Sequence, residues 1–119
     1  MILHLPYPPS VNRYWRMARG RMYIDEAGTA YREAMYLACR LQGVKPMKGR
    51  LDIQIALYPP DKRKRDVDNT LKAMLDALQA GGAYADDAQI DHLELTRCEV
   101  DPPDGSVIVQ IEPWKGTAT

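Results

Sequence analysis

The clearest pattern in the chain is a strict two-residue alternation over residues 51 to 58. Leu51, Ile53, Ile55 and Leu57 are separated there by Asp52, Gln54, Ala56 and Tyr58. Successive side chains of an extended strand point to opposite faces, so the segment predicts a half-buried strand, ended by Pro59 and Pro60. Residues 90 to 100 alternate in the same way, and the turn-forming DPPDG of residues 101 to 105 joins them to a last strand, Ser106 to Glu112. That final pair is expected to join as an antiparallel hairpin. Residues 1 to 5 read as a short first strand, which the chain must leave at Pro6, Pro8 and Pro9.

Two segments carry the helical period instead. From about Asp25 to Leu41 the apolar positions Tyr31, Ala34, Met35, Ala38 and Leu41 recur every three or four residues, with Asp25 placed to cap the start and Gly43 near the stop. From about Val67 to Ala80, Leu71, Met74, Leu75 and Leu78 form one stripe before Gly81 and Gly82 end it. The order β-α-β-α-β-β predicts an α+β fold, a small mixed sheet of about four strands with two main helices on one face. With no internal repeat or linker, residues 1–119 are read as a single domain, and the tail after Trp114 as frayed.

Composition narrows the class. The chain is 45% hydrophobic and 27% charged, and no apolar run approaches the roughly 18 residues a membrane helix needs, which excludes disorder and membrane spanning. The start MILHLPYPP lacks the charged and apolar regions of a secretory signal, so a cytoplasmic protein is expected. Cys39 and Cys98 are too few for a disulfide scaffold and are read as small buried residues. His4 and His92 have no partner at triad or metal spacing and are read as strand residues.

The formal net charge of zero hides a division. Residues 1 to 50 carry nine Lys/Arg against three Asp/Glu, and residues 51 to 119 carry seven against thirteen. Such a split points to a polyanion held by one region and a metal or acid-base site in another. The stretch NRYWRMARGR, Asn12 to Arg21, interleaves cations with Tyr14 and Trp15 and reads as an exposed arm that Gly20 turns into a loop or irregular hairpin.

The densest polar feature is K-R-K-R-D-V-D-N, Lys62 to Asn69, followed beyond one helix by Asp86 and Asp87. Taken alone, Asp66 and Asp68 at a helix N-terminus read as capping residues, a role worth about 0.5–2 kcal/mol. Only one residue can be the N-cap, however, and clustered carboxylates repel unless a cation lies between them. Oxygen donors without His or Cys favour Mg²⁺, with Mn²⁺ as the alternative, over Zn²⁺. An EF-hand is excluded, because Asp66 and Asp68 as loop positions one and three put Leu71 at the required glycine and Ala77 at the bidentate glutamate. A divalent ion beside four consecutive cations, Lys62 to Arg65, fits phosphoryl chemistry. Lys72, one turn after Asp68, reads either as an i, i+4 ion pair or as an ammonium for the transition-state charge. Adjacent residues of an extended segment face opposite ways, so only one of Asp86 and Asp87 is expected to face the metal, and pattern does not say which.

These segments are recognisable. The chain resembles the RusA-type Holliday junction resolvases, an endodeoxyribonuclease family of bacteria and their prophages, over nearly its whole length. The resemblance rests on LPYPPSVNRYWR (Leu5 to Arg16), PDKRKRDVDN with Lys72, and DDAQI (Asp86 to Ile90), in that order. Tyr84-Ala85 departs from the bulkier apolar residues expected before the paired aspartates. The resemblance implies a homodimer making Mg²⁺-dependent paired nicks in four-way DNA junctions during recombination and repair. It places catalytic and metal-binding roles on Asp66, Asp68 and Asp87 and a catalytic lysine on Lys72. The DNA would then be gripped by Lys62, Arg63, Lys64 and Arg65 together with Asn12, Arg13, Arg16 and Asn69. The alternatives are a metal-dependent nuclease for other branched DNA and a non-catalytic, structure-selective DNA-binding protein.

Overall fold

The computed structural model describes residues 1–9 and 15–116. Two antiparallel elements and a βαβ unit build it: β1 (Ile2–Leu5), β2 (Trp15–Ala18), β3 (Arg21–Ile24), α1 (Glu26–Leu41), β4 (Leu51–Tyr58), α2 (Leu71–Ala80), β5 (Ile90–Arg97) and β6 (Ser106–Pro113). A 3₁₀ turn, Val67–Thr70, leads into α2, and another, Asp87–Gln89, leads into β5. The four-stranded sheet has the order β1-β6-β4-β5, and β2 and β3 form a separate hairpin. The fold is therefore α+β, with a mixed sheet of four strands and two helices.

Strand β4 is the centre of the sheet. Its alternation becomes burial, with Leu51, Ile53, Ile55 and Leu57 all in the core. It is bonded on one edge to β6, antiparallel, and on the other to β5, parallel. The expected β5–β6 hairpin is thus corrected: β4 lies between those strands, and β6 runs on to pair with β1. Burial gives the reason. Val107, Val109 and Ile111 of β6 are fully enclosed, which suits an inner strand, whereas Leu93 and Leu95 of β5 are only half-buried, which suits an edge.

Both helices cover the face lined by Leu3, Leu5 and the inner residues of β4 and β6. The apolar stripe of α1 differs from the expectation: Gly28, Tyr31, Met35 and Cys39 are buried, while Ala34 and Leu41 face outward. A spacing of three and four residues from Gly28 keeps one face toward the sheet, and Leu41 lies off that line. In α2 the inner face is Ala73, Met74, Ala77 and Leu78, with Leu71 and Leu75 packed at its margin. The small Ala73 and Ala77 let α2 lie close to its neighbours. The first turn of the expected second helix is the tighter 3₁₀ turn.

Each helix ends in the same way. Gly43 and Gly82 take left-handed φ values of 71° and 88°. In α1 the Val44 and Gly43 amides donate to the Cys39 and Arg40 carbonyls, and in α2 the Ala83 and Gly82 amides donate to those of Leu78 and Gln79. This is the six-to-one, five-to-two pattern that satisfies the last carbonyls of a helix. The irregular arm of the sequence reading is a regular hairpin from Trp15 onward, turned at Arg19 and Gly20, both with positive φ. Cys39 is buried, as expected, but Cys98 is only half-buried, and neither is in a disulfide.

Gly105 has φ +75°, and a Cβ there would stand 2.9 Å from the Tyr58 carbonyl and the Pro60 ring, whereas Gly49, with φ +79°, has nothing within 4 Å. We expect Gly49→Ala to lose about 1 kcal/mol, the cost of the backbone conformation, and Gly105→Ala about 3 kcal/mol or more, since backbone must also move. Urea unfolding of both variants measures this, and equal losses would contradict the clash.

Candidate active site

The segment after β4 is a compact cationic loop organised by one carboxylate. Asp61 accepts from the Arg63 amide at 2.9 Å, pairs with the Arg65 guanidinium at 2.9 Å and lies 3.6 Å from that of Arg63. The Arg63 amide, and then the Arg65 guanidinium, hold the Asp61 carboxyl below the ordinary carboxylate range. Arg65 also donates to the Asp61 and Arg63 carbonyls, and its own carbonyl accepts from Arg97 at the end of β5. Lys62 and Lys64 stay exposed, and the loop faces a groove of about 400 Å³ lined in part by Arg97 and Glu99. The run from Lys62 to Arg65 therefore has one structural side chain, Arg65, while Lys62, Arg63 and Lys64 face outward and Arg63 serves the loop through its backbone.

Asp66 and Asp68 follow. Asp66 is the extended residue before the first 3₁₀ turn, where its carbonyl accepts from the Asn69 amide, and Asp68 lies within that turn. Both carboxylates are exposed, and neither forms a hydrogen bond or ion pair with another described residue. Lys72 is exposed in the first turn of α2, and Asp76 pairs with Arg32 of α1 at 3.7 Å. Between these groups Thr70 is 3% exposed.

Asp86 and Asp87 are divided by local structure. Asp86 caps the second 3₁₀ turn, accepting from the Ala88 amide at 2.9 Å. Asp87 is the first residue of that turn, and its exposed carboxylate, like those of Asp66 and Asp68, has no hydrogen-bond or ion-pair partner among the described residues. The segment is not the continuous extended strand on which the sequence argument turned. Tyr84 just before it fills the core, its hydroxyl donating to the Leu75 carbonyl at 2.7 Å. Burial, and then the nearby Asp87 and Asp76 charges, push that phenol far above its ordinary value, so it stays protonated as a donor.

The acids do not converge within one protomer. Asp66 and Asp68 precede α2, whereas the Asp87 amide is bonded to Gln79 in its last turn, so about 15 Å of helix lies between them. Among the described residues no three His, Cys, Asp or Glu side chains gather as a metal centre. The chemistry of the donors suits a hard cation, while their placement supplies two at one end of α2 and one at the other. Of the expected DNA contacts, Asn12 and Arg13 lie outside the described residues, Arg16 is on β2 opposite Tyr23, and Asn69 closes the first 3₁₀ turn.

Other groups escaped the sequence reading. His92 does have a partner: the parallel register sets it beside Asp52, 2.8 Å away, and it stacks on Trp114 at 4.9 Å. A register shift between Leu51 and Asp52 leaves Asp91 out of the ladder, where Arg50 grips it. Gln89 stands three residues after Asp86, which is capping-box spacing and was readable as such.

Exposed carboxylates beside a cationic loop, on a small α+β scaffold, suit an endonuclease that works on a charged phosphodiester backbone. The chain belongs to the endodeoxyribonuclease RusA family, whose model matches residues 6–112. It is 39% identical over 108 residues to the crossover junction endodeoxyribonuclease rusA of Enterobacteria phage HK97, covering 90% of this chain and 89% of that protein. It is 42% identical over 95 residues to the protein of the same name from Enterobacteria phage 82, and 41% identical over 91 residues to one from Escherichia coli, with 72% of each chain covered in both cases. Family membership sets aside the reading as a non-catalytic DNA-binding protein.

If the two lysines face the DNA and Arg65 holds the loop, Lys62→Ala with Lys64→Ala should lower the slope of log affinity against log salt by about 1.8 with an unchanged Tm. Arg65→Ala should lower the Tm as well. Gel shifts over a salt series, with thermal melts, decide this, and an unchanged slope in the double lysine variant would remove that pair from the interface.

Proposed function

We propose that this chain, as a homodimer, resolves four-way DNA junctions by paired nicks, using Mg²⁺ or Mn²⁺. The observation that carries the reading is the set of three exposed, unpartnered carboxylates, Asp66, Asp68 and Asp87, in the segments that match the family. Because the third donor lies at the far end of α2, the centre is completed between protomers, with Asp66 and Asp68 of one chain facing Asp87 of the second. Two such centres related by a two-fold axis supply the two cuts a junction requires. When bound, the ion supplies charge neutralisation at the phosphate and an acidified water.

The protein groups have separate tasks. Lys72 places an ammonium where negative charge grows on the scissile phosphate, one turn from Asp68. Lys62 and Lys64 track the backbone, on a loop shaped by Arg63 and Arg65, and Asn12, Arg13, Arg16 and Asn69 extend that grip. Tyr14 or Trp15 stacks on a base unpaired at the branch point. One domain, residues 1–119, carries all of this. No helix among the described residues is long and apolar enough to cross a membrane. The proposed work is DNA recombination and repair in the cytoplasm.

Asp66→Asn, Asp68→Asn and Asp87→Asn should each abolish cutting while keeping junction binding, because each removes an anionic donor and reduces repulsion of DNA. Mixing the Asp66→Asn and Asp87→Asn proteins tests the arrangement. A centre shared between chains restores one intact site per mixed dimer and hence single-strand nicking of junctions, whereas centres within one chain stay dead. Flap and duplex substrates run alongside separate junction resolution from general branched-DNA cleavage. Lys72→Ala should lower single-turnover cleavage by about 100-fold with affinity nearly unchanged, since its interaction belongs to the transition state. A weaker binder with wild-type single-turnover rate would contradict that role.

A further inference from the structure

The turn that carries Asp87 has an unusual distribution of donors. Every backbone N–H from Ala85 to Gln89 is already engaged. Those of Ala85 and Asp86 donate to the Gln89 side-chain carbonyl at 3.0 and 3.1 Å, and that of Asp87 to the Gln79 side-chain carbonyl at 3.1 Å. Those of Ala88 and Gln89 go to the Asp86 carboxylate and carbonyl, at 2.9 and 3.0 Å. An aspartate in a turn ordinarily accepts from the amides that follow it, as Asp86 does. The Asp87 carboxylate accepts from none of the described amides, because those of Ala88 and Gln89 go to Asp86 and that of Ile90 to the Asp87 carbonyl.

Gln89 is held as firmly as it holds. Its Nε2 donates to the Met47 and Gly49 carbonyls at 3.0 and 2.9 Å, so both donors and both lone pairs of the amide are used. Arg50 adds a bond from Nη2 to the Ala88 carbonyl at 2.7 Å while its Nε reaches Asp91 at 2.8 Å. A 3₁₀ turn of three residues has little stability of its own, so its conformation is set by these side chains from α2, the loop before β4 and β5.

We propose that Gln79 and Gln89 are positioning residues for Asp87: by holding the amides of Ala85, Asp86 and Asp87 they fix the turn that presents its carboxylate to a divalent cation. The inference rests on the assignment of Asp87 to the site. Gln79 is the sharper probe, since it is exposed and, among the described residues, its side chain makes one hydrogen bond, to the Asp87 amide.

The experiment uses the full chain and Mn²⁺ as the probe, with binding followed by calorimetry and cutting by single-turnover junction assays across a metal titration. Gln79→Met and Gln89→Met should each raise the Mn²⁺ midpoint, in binding and in cutting, by about tenfold, the size expected when a ligand loses its supporting bond. Metal-free junction affinity should stay within about twofold, because no phosphate-facing cation is touched. Gln79→Glu keeps an acceptor oxygen for the Asp87 amide and should restore the wild-type midpoint to within about threefold. Hydrogen exchange at the Asp87 amide should speed up in Gln79→Met and not in Gln79→Glu. Wild-type midpoints in both methionine variants would overturn the proposal. An Asp87→Asn protein that binds Mn²⁺ and cuts like wild type would instead overturn the site assignment, so the two failures are distinct.

Discussion

The parallel pairing of β4 with β5 is the constraint from which the placement of the functional groups follows. A chain leaving one strand cannot enter a parallel neighbour without travelling back along the sheet, and α2 is that return path. Whatever the sequence places just before α2 therefore lies at one end of the sheet, and whatever it places just after lies at the other. Asp66 and Asp68 fall before it, Asp87 after it. Two motifs that stand about 20 residues apart in the chain are separated in space by the crossover itself.

The +6 and −6 halves of the chain do not become two poles, because Arg32 reaches Asp76 and Arg50 reaches Asp91 across them. Neutralisation is selective. Asp61 is taken up by the Arg63 amide and the Arg65 guanidinium that curl the loop, which leaves Lys62, Arg63 and Lys64 with their charges outward and Arg65 as its frame. The exposed Arg63 contact contributes little to global stability, whereas the better-covered Arg65 pair is backed by bonds to the Asp61 and Arg63 carbonyls. Its effect is local, converting a run that would otherwise repel itself into a ridge with a defined outward face.

How far the sequence carried the reading depends on whether the signal was local. The alternation of β4, the caps at Gly43 and Gly82 and the existence of both helices are properties of a few neighbouring residues, and all of them hold. Strand partnership is not local. Residues 90 to 112 look like two strands with a turn between them, and nothing in that segment shows that β4 occupies the space between the two. His92 illustrates the same limit, since its partner Asp52 is 40 residues away and meets it only through the parallel register. Leu41 was misplaced because an apolar residue at helical spacing need not lie on the buried face when the true stripe starts one turn earlier, at Gly28.

For the site, residue types and motifs were legible and the division between neighbours was not. Asp86 and Asp87 are identical in chemistry, and what separates them is which one meets the free amide of a 3₁₀ turn. The sorting extends to the other aspartates. Asp52, Asp61, Asp76, Asp91 and Asp101 each have a side-chain partner, in His92, Arg65, Arg32, Arg50 and Ser106. Asp66, Asp68 and Asp87 have none among the described residues, a state they share with Asp104 on the exposed turn before β6. A carboxylate already holding a guanidinium must give it up before it can accept a cation, so partners elsewhere and none at these three positions favour ion capture there. Within the matching segments Asp61 and Asp86 are held by their neighbours, and Asp66, Asp68 and Asp87 are set apart by what the fold withholds from them.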